Sequence, residues 1–209
     1  MCNAVLPMHA GLADSSRIPA LWRDSQGLHA AEILALLGMG AVATLSTAFL
    51  DLALRIPGHA ILRAVFPMAF GLAVVPRQFA GSVMGAGALA SAAVVKAGGF
   101  GALGVGAMTS LVLTGPLLDL ALWHAQRGWR LYLGFALAGL GSNLVAFGVR
   151  GGSKLTGLDH AAARPLAEWW PVAIGSYALC GVIAGLISAL VWFQLSADRR
   201  KAVDAEARE

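Results

Sequence analysis

Between the first two apolar stretches of this chain runs Arg55, Ile56, Pro57, Gly58, His59, Ala60, Ile61, Leu62, Arg63. Pro-Gly makes a turn, and if helix resumes after it, His59 and Arg63 fall one turn apart on one face, with Arg55 nearby. Three hydrogen-bond donors grouped in this way suit an anionic or carboxylate-bearing solute at the mouth of a membrane protein. They suit lipid headgroups as well, so both readings stand. Asp51 lies four residues before Arg55, a spacing at which the two side chains either pair and shield the aspartate or contact a ligand. Thr109 and Ser110 in one apolar stretch, and Ser142 and Asn143 in the next, sit at comparable depth. An asparagine in such a place bridges helices or points into a cavity. Gly115 and Pro116 interrupt the helical ladder just below. Asp119, beside His124 and Arg127, reads as a structural or coupling residue. Lys154, Asp159 and His160 precede Trp169 and Trp170; a loop that closes over a pocket would contain such residues, and so would any solvated loop.

Other chemistries find no support. The five histidines stand at 9, 29, 59, 124 and 160 without metal-site spacing, so no metal is expected. Cys2 and Cys180 are too isolated to suggest a disulfide or a metal site. His-Glu-x-x-His, Gly-x-Ser-x-Gly and the phosphate-binding Gly-x-x-x-x-Gly-Lys-Ser/Thr are all missing. The glycines at 101, 104 and 106 follow no strand and do not make a nucleotide fingerprint. No basic stripe suggests nucleic acid.

The elements that must position these groups follow from composition. Of 209 residues, 58% are hydrophobic and only 12% charged, with a mean hydropathy of +0.72. A soluble domain carries about 25% charged residues, so a water-soluble globule is excluded. Six apolar runs, 31–54, 61–75, 79–95, 101–123, 131–149 and 171–195, predict an all-α integral membrane protein, a compact bundle of six transmembrane helices. The second is short, and Pro67 and Pro76 predict a bent element. The ten-residue alternation of barrel strands is absent. The chain thus divides into a cytoplasmic or interfacial tail at 1–30, a membrane domain at 31–195 and a cytoplasmic tail at 196–209. Residues 18–28, with Leu21 and Trp22 beside Arg17 and Arg23, form either an interfacial segment or a disordered one. The start lacks the pattern of a cleavable signal.

With six spans, nine of the fifteen Lys and Arg residues fall on the side of the two termini. The positive-inside rule then predicts a multi-pass protein of the cell (inner) membrane with both termini in the cytoplasm, and Arg55, Arg63, Arg150 and Lys154 outside. Twenty-six glycines are too many for turns alone. Gly81 with Gly85, and Gly181 with Gly185, have the four-residue spacing of close helix contacts in lipid, as do Ala31 and Ala35.

Taken together, the chain resembles the substrate-binding S components of energy-coupling factor transporters, bacterial uptake systems for vitamins and related micronutrients. The likeness covers 31–195. It rests on six compact helices with both ends inside, on Phe66-Pro67-Met68-Ala69-Phe70-Gly71-Leu72 leading through Pro76-Arg77 into the glycine-rich 81–87, and on Ala31-x-x-x-Ala35. That last pair is similar to the small-residue motif through which S components dock on their transmembrane coupling subunit. The resemblance implies a protein that is not an enzyme and needs no cofactor. It binds a small-molecule solute from outside and topples in the membrane, among lipids, to release it, while separate ATPase subunits supply energy. In that picture Arg55, His59 and Arg63 hold the solute, Thr109 and Asn143 line the pocket, Trp169 or Trp170 stacks on the solute or closes over it, and Ala31 and Ala35 dock. The chain departs from the cobalt and nickel branch, whose members begin with a metal-binding Met-His; here His9 is internal. Two other readings are a structural subunit or assembly factor of a larger membrane complex, and a small secondary transporter or channel. The latter class often shows repeated halves, which are not evident here.

Overall fold

In chain order the helices are α1 (Ala30–Phe49), α2 (Ala60–Val74), α3 (Ala80–Ala97), α4 (Val105–His124), α5 (Trp129–Leu155) and α6 (Leu166–Glu206). They come from a computed structural model that describes residues 27–50, 57–100, 103–124, 129–156 and 166–206. Asp51, Arg55, Asp159, His160 and residues 1–26 lie outside the described residues. Five of the helices are long and apolar enough to cross a membrane, which makes the chain an all-α, multi-pass membrane protein. The exception is α2. Its 15 residues rise about 22 Å at 1.5 Å each, short of a hydrocarbon core of roughly 30 Å.

The long helices form an arc in the order α1, α3, α4, α5, α6, each packed on the next, and α2 lies in the opening between α6 and α1, touching all five. That position explains why one side of so short a helix is buried. Ile61, Val65, Met68 and Leu72 are buried in the core, and Phe66 and Phe70 pack against Trp192 of α6 at ring-centroid distances of 5.0 and 4.5 Å, with Phe66 still partly exposed.

Pro67 sits inside α2 without ending it. A proline has no N–H, so the carbonyl four residues back, that of Arg63, loses its helical donor. The hydroxyl of Ser46 on α1 lies 3.0 Å from that carbonyl and 2.9 Å from the Ala43 carbonyl of its own helix, and its single proton is shared between the two. One exposed backbone acceptor thus becomes a tie between two helices, as backbone groups shielded from water require.

Elsewhere glycines set the helix spacing. Gly81 of α3 faces Gly115 of α4 so closely that a Cβ on either would overlap the other's carbonyl. Gly139 of α5 and Gly181 of α6 meet in the same way, and a Cβ on Gly185 would overlap the carbonyl of Phe135 on α5. The two pairs expected from spacing therefore make close contacts, each with a glycine on the neighbouring helix.

Three helices differ in their bounds from those read in the sequence. α1 ends at Phe49, with Leu50 already extended. α5 continues past 149 to Leu155, which shortens the connection to α6. α6 starts at Leu166 and extends to Glu206, so the expected tail at 196–209 is helical over most of its length. The run after 195 contains no Gly or Pro and is rich in Ala, Arg, Lys and Glu, good helix formers. Charge at the end of a span takes the chain out of lipid but does not stop a helix.

Candidate functional site

At one end of the bundle the N-termini of α2, α4 and α6 meet the C-terminal turns of α5 around a cavity of about 900 Å³. Its wall is mostly apolar, with Leu103, Val105 and Val149 beside glycines and alanines, and its polar groups are few: His59, Ser110, Asn143, Arg150, Ser153, Thr156, Trp169 and Tyr177. A large apolar hollow with a few convergent polar groups is the usual form of a small-molecule site. Among the described residues the wall holds two basic side chains and no carboxylate.

The floor is built by a turn. Gly58 has φ of +86°, a left-handed conformation that a Cβ penalises, and a Cβ there would also lie 2.9 Å from Cγ of Tyr177 and 3.0 Å from Nδ2 of Asn143. The Asn143 amide donates to the carbonyls of Gly58 at 3.2 Å and Tyr177 at 2.6 Å. Both amide protons are spent on holding the α2 turn against α5 and α6, and the residue is almost wholly buried. Asn143 therefore both bridges helices and lines the cavity.

One wall is aromatic. Phe147 of α5 stacks on Trp169 at 5.5 Å, meets the edge of Trp170 at 4.9 Å and leans on Tyr177 at 5.6 Å. Trp169 is buried and belongs to the cavity wall. Trp170 is 42% exposed and is not part of it. The ammonium of Lys154 lies 4.8 Å from the Trp169 ring centroid, a cation–π contact. Arg150 donates to the Tyr177 hydroxyl at 3.3 Å.

The residues expected around the mouth separate. His59 lines the cavity. Arg63, one turn further into α2, faces the seam with α1: its guanidinium donates to the Leu50 carbonyl, at the negative end of the α1 dipole, and contacts His59 Nε2 at 3.2 Å. It is not among the lining residues. Thr109 turns its hydroxyl back onto the Val105 carbonyl, and it is the neighbouring Ser110 that reaches the wall. One residue rotates a side chain by about 100° on a helix. Deeper in the seam between α4 and α5, buried Thr114 and Ser142 share a 2.9 Å hydrogen bond, and Ser142 also lies 3.0 Å from the Ser110 carbonyl. This cross-tie secures the wall without facing it.

Arg150 and Tyr177 were not singled out from sequence. Arg150 lies seven residues after Asn143 and three after Phe147, which puts all three on one helix face. The spacing was available, but ending the fifth span at 149 concealed it. On α6, Trp169, Ala173 and Tyr177 repeat every four residues and form one buried cluster with Ala146 and Phe147.

The opposite end is held by different charges. Glu32 accepts the N–H of His29 at 2.9 Å and pairs with Arg77 at 3.4 Å. Asp119 of α4 accepts Gly81 N–H at 2.8 Å, Ser82 N–H at 2.6 Å and Ser82 O–H at 2.7 Å. It caps α3 from another helix. The residue at the cap position, Phe79 at φ of 63°, has no oxygen to do so. Asp119 is thus structural. Ala31 and Ala35 are exposed on α1, and no group of three potential metal ligands occurs among the described residues. No family model, curated protein or solved structure matches this chain.

Proposed function

We propose that this chain is the membrane-embedded solute-binding subunit of an uptake system, taking a small micronutrient of the vitamin class into the cavity from the outer side. The observation that carries this reading is the cavity: about 900 Å³, apolar with a few inward polar groups, and lined from one end of the bundle. A conducting pore fits less well, because α2 fills the centre of the arc with buried Ile61, Val65, Met68 and Leu72. The reading as a catalyst has less behind it: the lining hydroxyls of Ser110, Ser153 and Thr156 each donate to a carbonyl of their own helix, and no group of three potential metal ligands occurs among the described residues. Energy would come from separate ATPase subunits through a transmembrane coupling subunit. The exposed Ala31 and Ala35 on α1, at the end away from the cavity, offer that subunit a close-packing face.

The test is thermal unfolding of the purified chain in detergent against a panel of water-soluble vitamins and their precursors. Binding to the folded state alone raises the midpoint. A hit that saturates supports the proposal, as does co-purification with an ATPase and a coupling subunit from native membranes. No hit across the panel, with stable co-purification of an unrelated membrane complex, would establish a structural subunit instead.

A further inference from the structure

We infer that the cavity selects an anionic solute and that its oxyanion, a carboxylate or a phosphate, is received by Arg150 and Tyr177. This rests on the solute-binding reading above and names the chemistry it leaves open. Four observations converge on one corner of the cavity. Arg150 Nη1 donates to the Tyr177 hydroxyl, which uses one of five guanidinium N–H donors and leaves the phenol proton itself to donate. Two donors then stand side by side, an arrangement that an oxyanion satisfies with both of its lone-pair edges. The first turn of α4 adjoins them: a Cβ on Gly106 would lie 3.6 Å from both the Tyr177 hydroxyl and Cβ of Arg150. The first intrahelical bond of α4 runs from Met108 N–H to the Gly104 carbonyl, and glycine has no side chain with which to cap the N–H groups that follow. Those N–H groups and the helix dipole add to the same positive corner. The described wall brings no carboxylate to oppose it, and its second basic residue is His59.

The apolar remainder of the wall fixes the other half of the ligand. Leu103, Val105 and Val149 receive a hydrocarbon or ring body, while Asn143 has both amide protons committed to carbonyls and contributes acceptance, not donation. The solute is therefore an amphiphilic anion with its charge at the Arg150 end. Anion recognition moves from the α2 turn, where Arg63 is engaged with Leu50 and His59, to the α5–α6 seam.

The experiment uses matched probes on the purified full chain: benzoate against benzamide, hexanoate against hexanamide, and phenyl phosphate, each followed by thermal shift. Arg150→Gln, Arg150→Lys and Tyr177→Phe are compared with the parent protein. The expected result is stabilisation by the anions and not by the amides. Arg150→Gln should weaken the anions roughly ten- to hundredfold, the effect of losing a charged hydrogen-bonding partner, with partial retention in Arg150→Lys. Amides that stabilise as well as their acids, or benzoate binding unchanged by Arg150→Gln, would overturn the inference while leaving a solute cavity. If none of the probes binds, the inference falls, and the vitamin panel alone decides the wider reading. Reconstitution into phosphatidylcholine with and without phosphatidylglycerol separates the sources of the anion. Stabilisation by phosphatidylglycerol that Arg150→Gln abolishes, with none from the soluble acids, would make the occupant a lipid headgroup and overturn a solute. Should Arg150→Gln fail to fold, Arg150→Lys and Tyr177→Phe carry the comparison.

Discussion

Gly58 and Asn143, distant in sequence, meet at the floor of the cavity, where the Asn143 amide donates to the Gly58 carbonyl at 3.2 Å and a side chain on Gly58 would collide with that same amide. The turn that starts α2 is thereby locked onto α5 and α6, and the cavity takes its shape from the lock.

Replacing Gly58 should therefore harm both stability and binding. Gly58→Ala puts a Cβ into a left-handed residue and against Tyr177, for which about 1–3 kcal/mol of destabilisation is expected. Gly148→Ala, where no atom stands within 4 Å, should leave the unfolding midpoint unchanged. Denaturant titration of both variants in detergent checks the contrast, and equal midpoints would show that the turn is not locked.

Ser46 and Pro67 should be coupled. Ser46→Ala strands the Arg63 carbonyl and should cost about 1 kcal/mol. In the background of Pro67→Ala the backbone N–H of residue 67 returns to that carbonyl, and the same serine substitution should be nearly neutral. A double-mutant cycle on unfolding free energies reads the coupling directly. Additive effects would mean that the hydroxyl is not the carbonyl's partner.

Asp119→Ala removes the acceptor of two backbone N–H groups and one hydroxyl at the start of α3. The expected loss is about 1–2 kcal/mol, in the range of a lost helix cap, with Asp119→Asn milder because one oxygen remains. Since the residue sits at the end opposite the cavity, ligand affinity of the folded variant should match the parent by titration. A large change in affinity with unchanged stability would instead make Asp119 a coupling residue.

Close packing between α5 and α6 predicts sharp position dependence along one helix. Gly181→Ala drives a Cβ to 2.6 Å from the Gly139 carbonyl, and overpacking of this kind costs roughly 1–3 kcal/mol. Gly175→Ala, on the same helix but with nothing within 4 Å, should be silent. Thermal unfolding followed by aggregation or circular dichroism separates them.

Much of the site's framework was legible in the sequence. Asn143 was recognised as a residue that must bridge or face a cavity, and it does both. His59 was placed at the mouth and Trp169 or Trp170 over the solute; His59 and Trp169 line the cavity, and Trp170 does not. Thr109 was preferred over its neighbour and Arg63 was assigned to the solute, whereas the cavity wall has Ser110 and Arg63 holds the end of α1. Arg150 and Tyr177 were passed over because the helix was expected to stop before the first, and because a tyrosine among apolar residues gives no hint of its neighbour.

Composition and the length of the apolar runs determined by themselves that this is a helical membrane protein, that six helices stand among its described residues and that the pairs Gly81 with Gly85 and Gly181 with Gly185 pack closely, while the close contacts of Gly40, Gly87, Gly115 and Gly139 came only from the fold. Only the tertiary structure decided which way each helix turns: Ser110 inward and Thr109 aside, Arg150 onto Tyr177, Asp119 onto the start of α3. The reason is physical. In a soluble protein the polar face of a helix marks its outside, but in a bilayer the faces toward lipid and toward the core are both apolar, so periodicity carries little information on rotation. Rotation is set by the sub-ångström fit of glycines against carbonyls and by the few polar groups that find partners across a seam, and those partners lie on other helices.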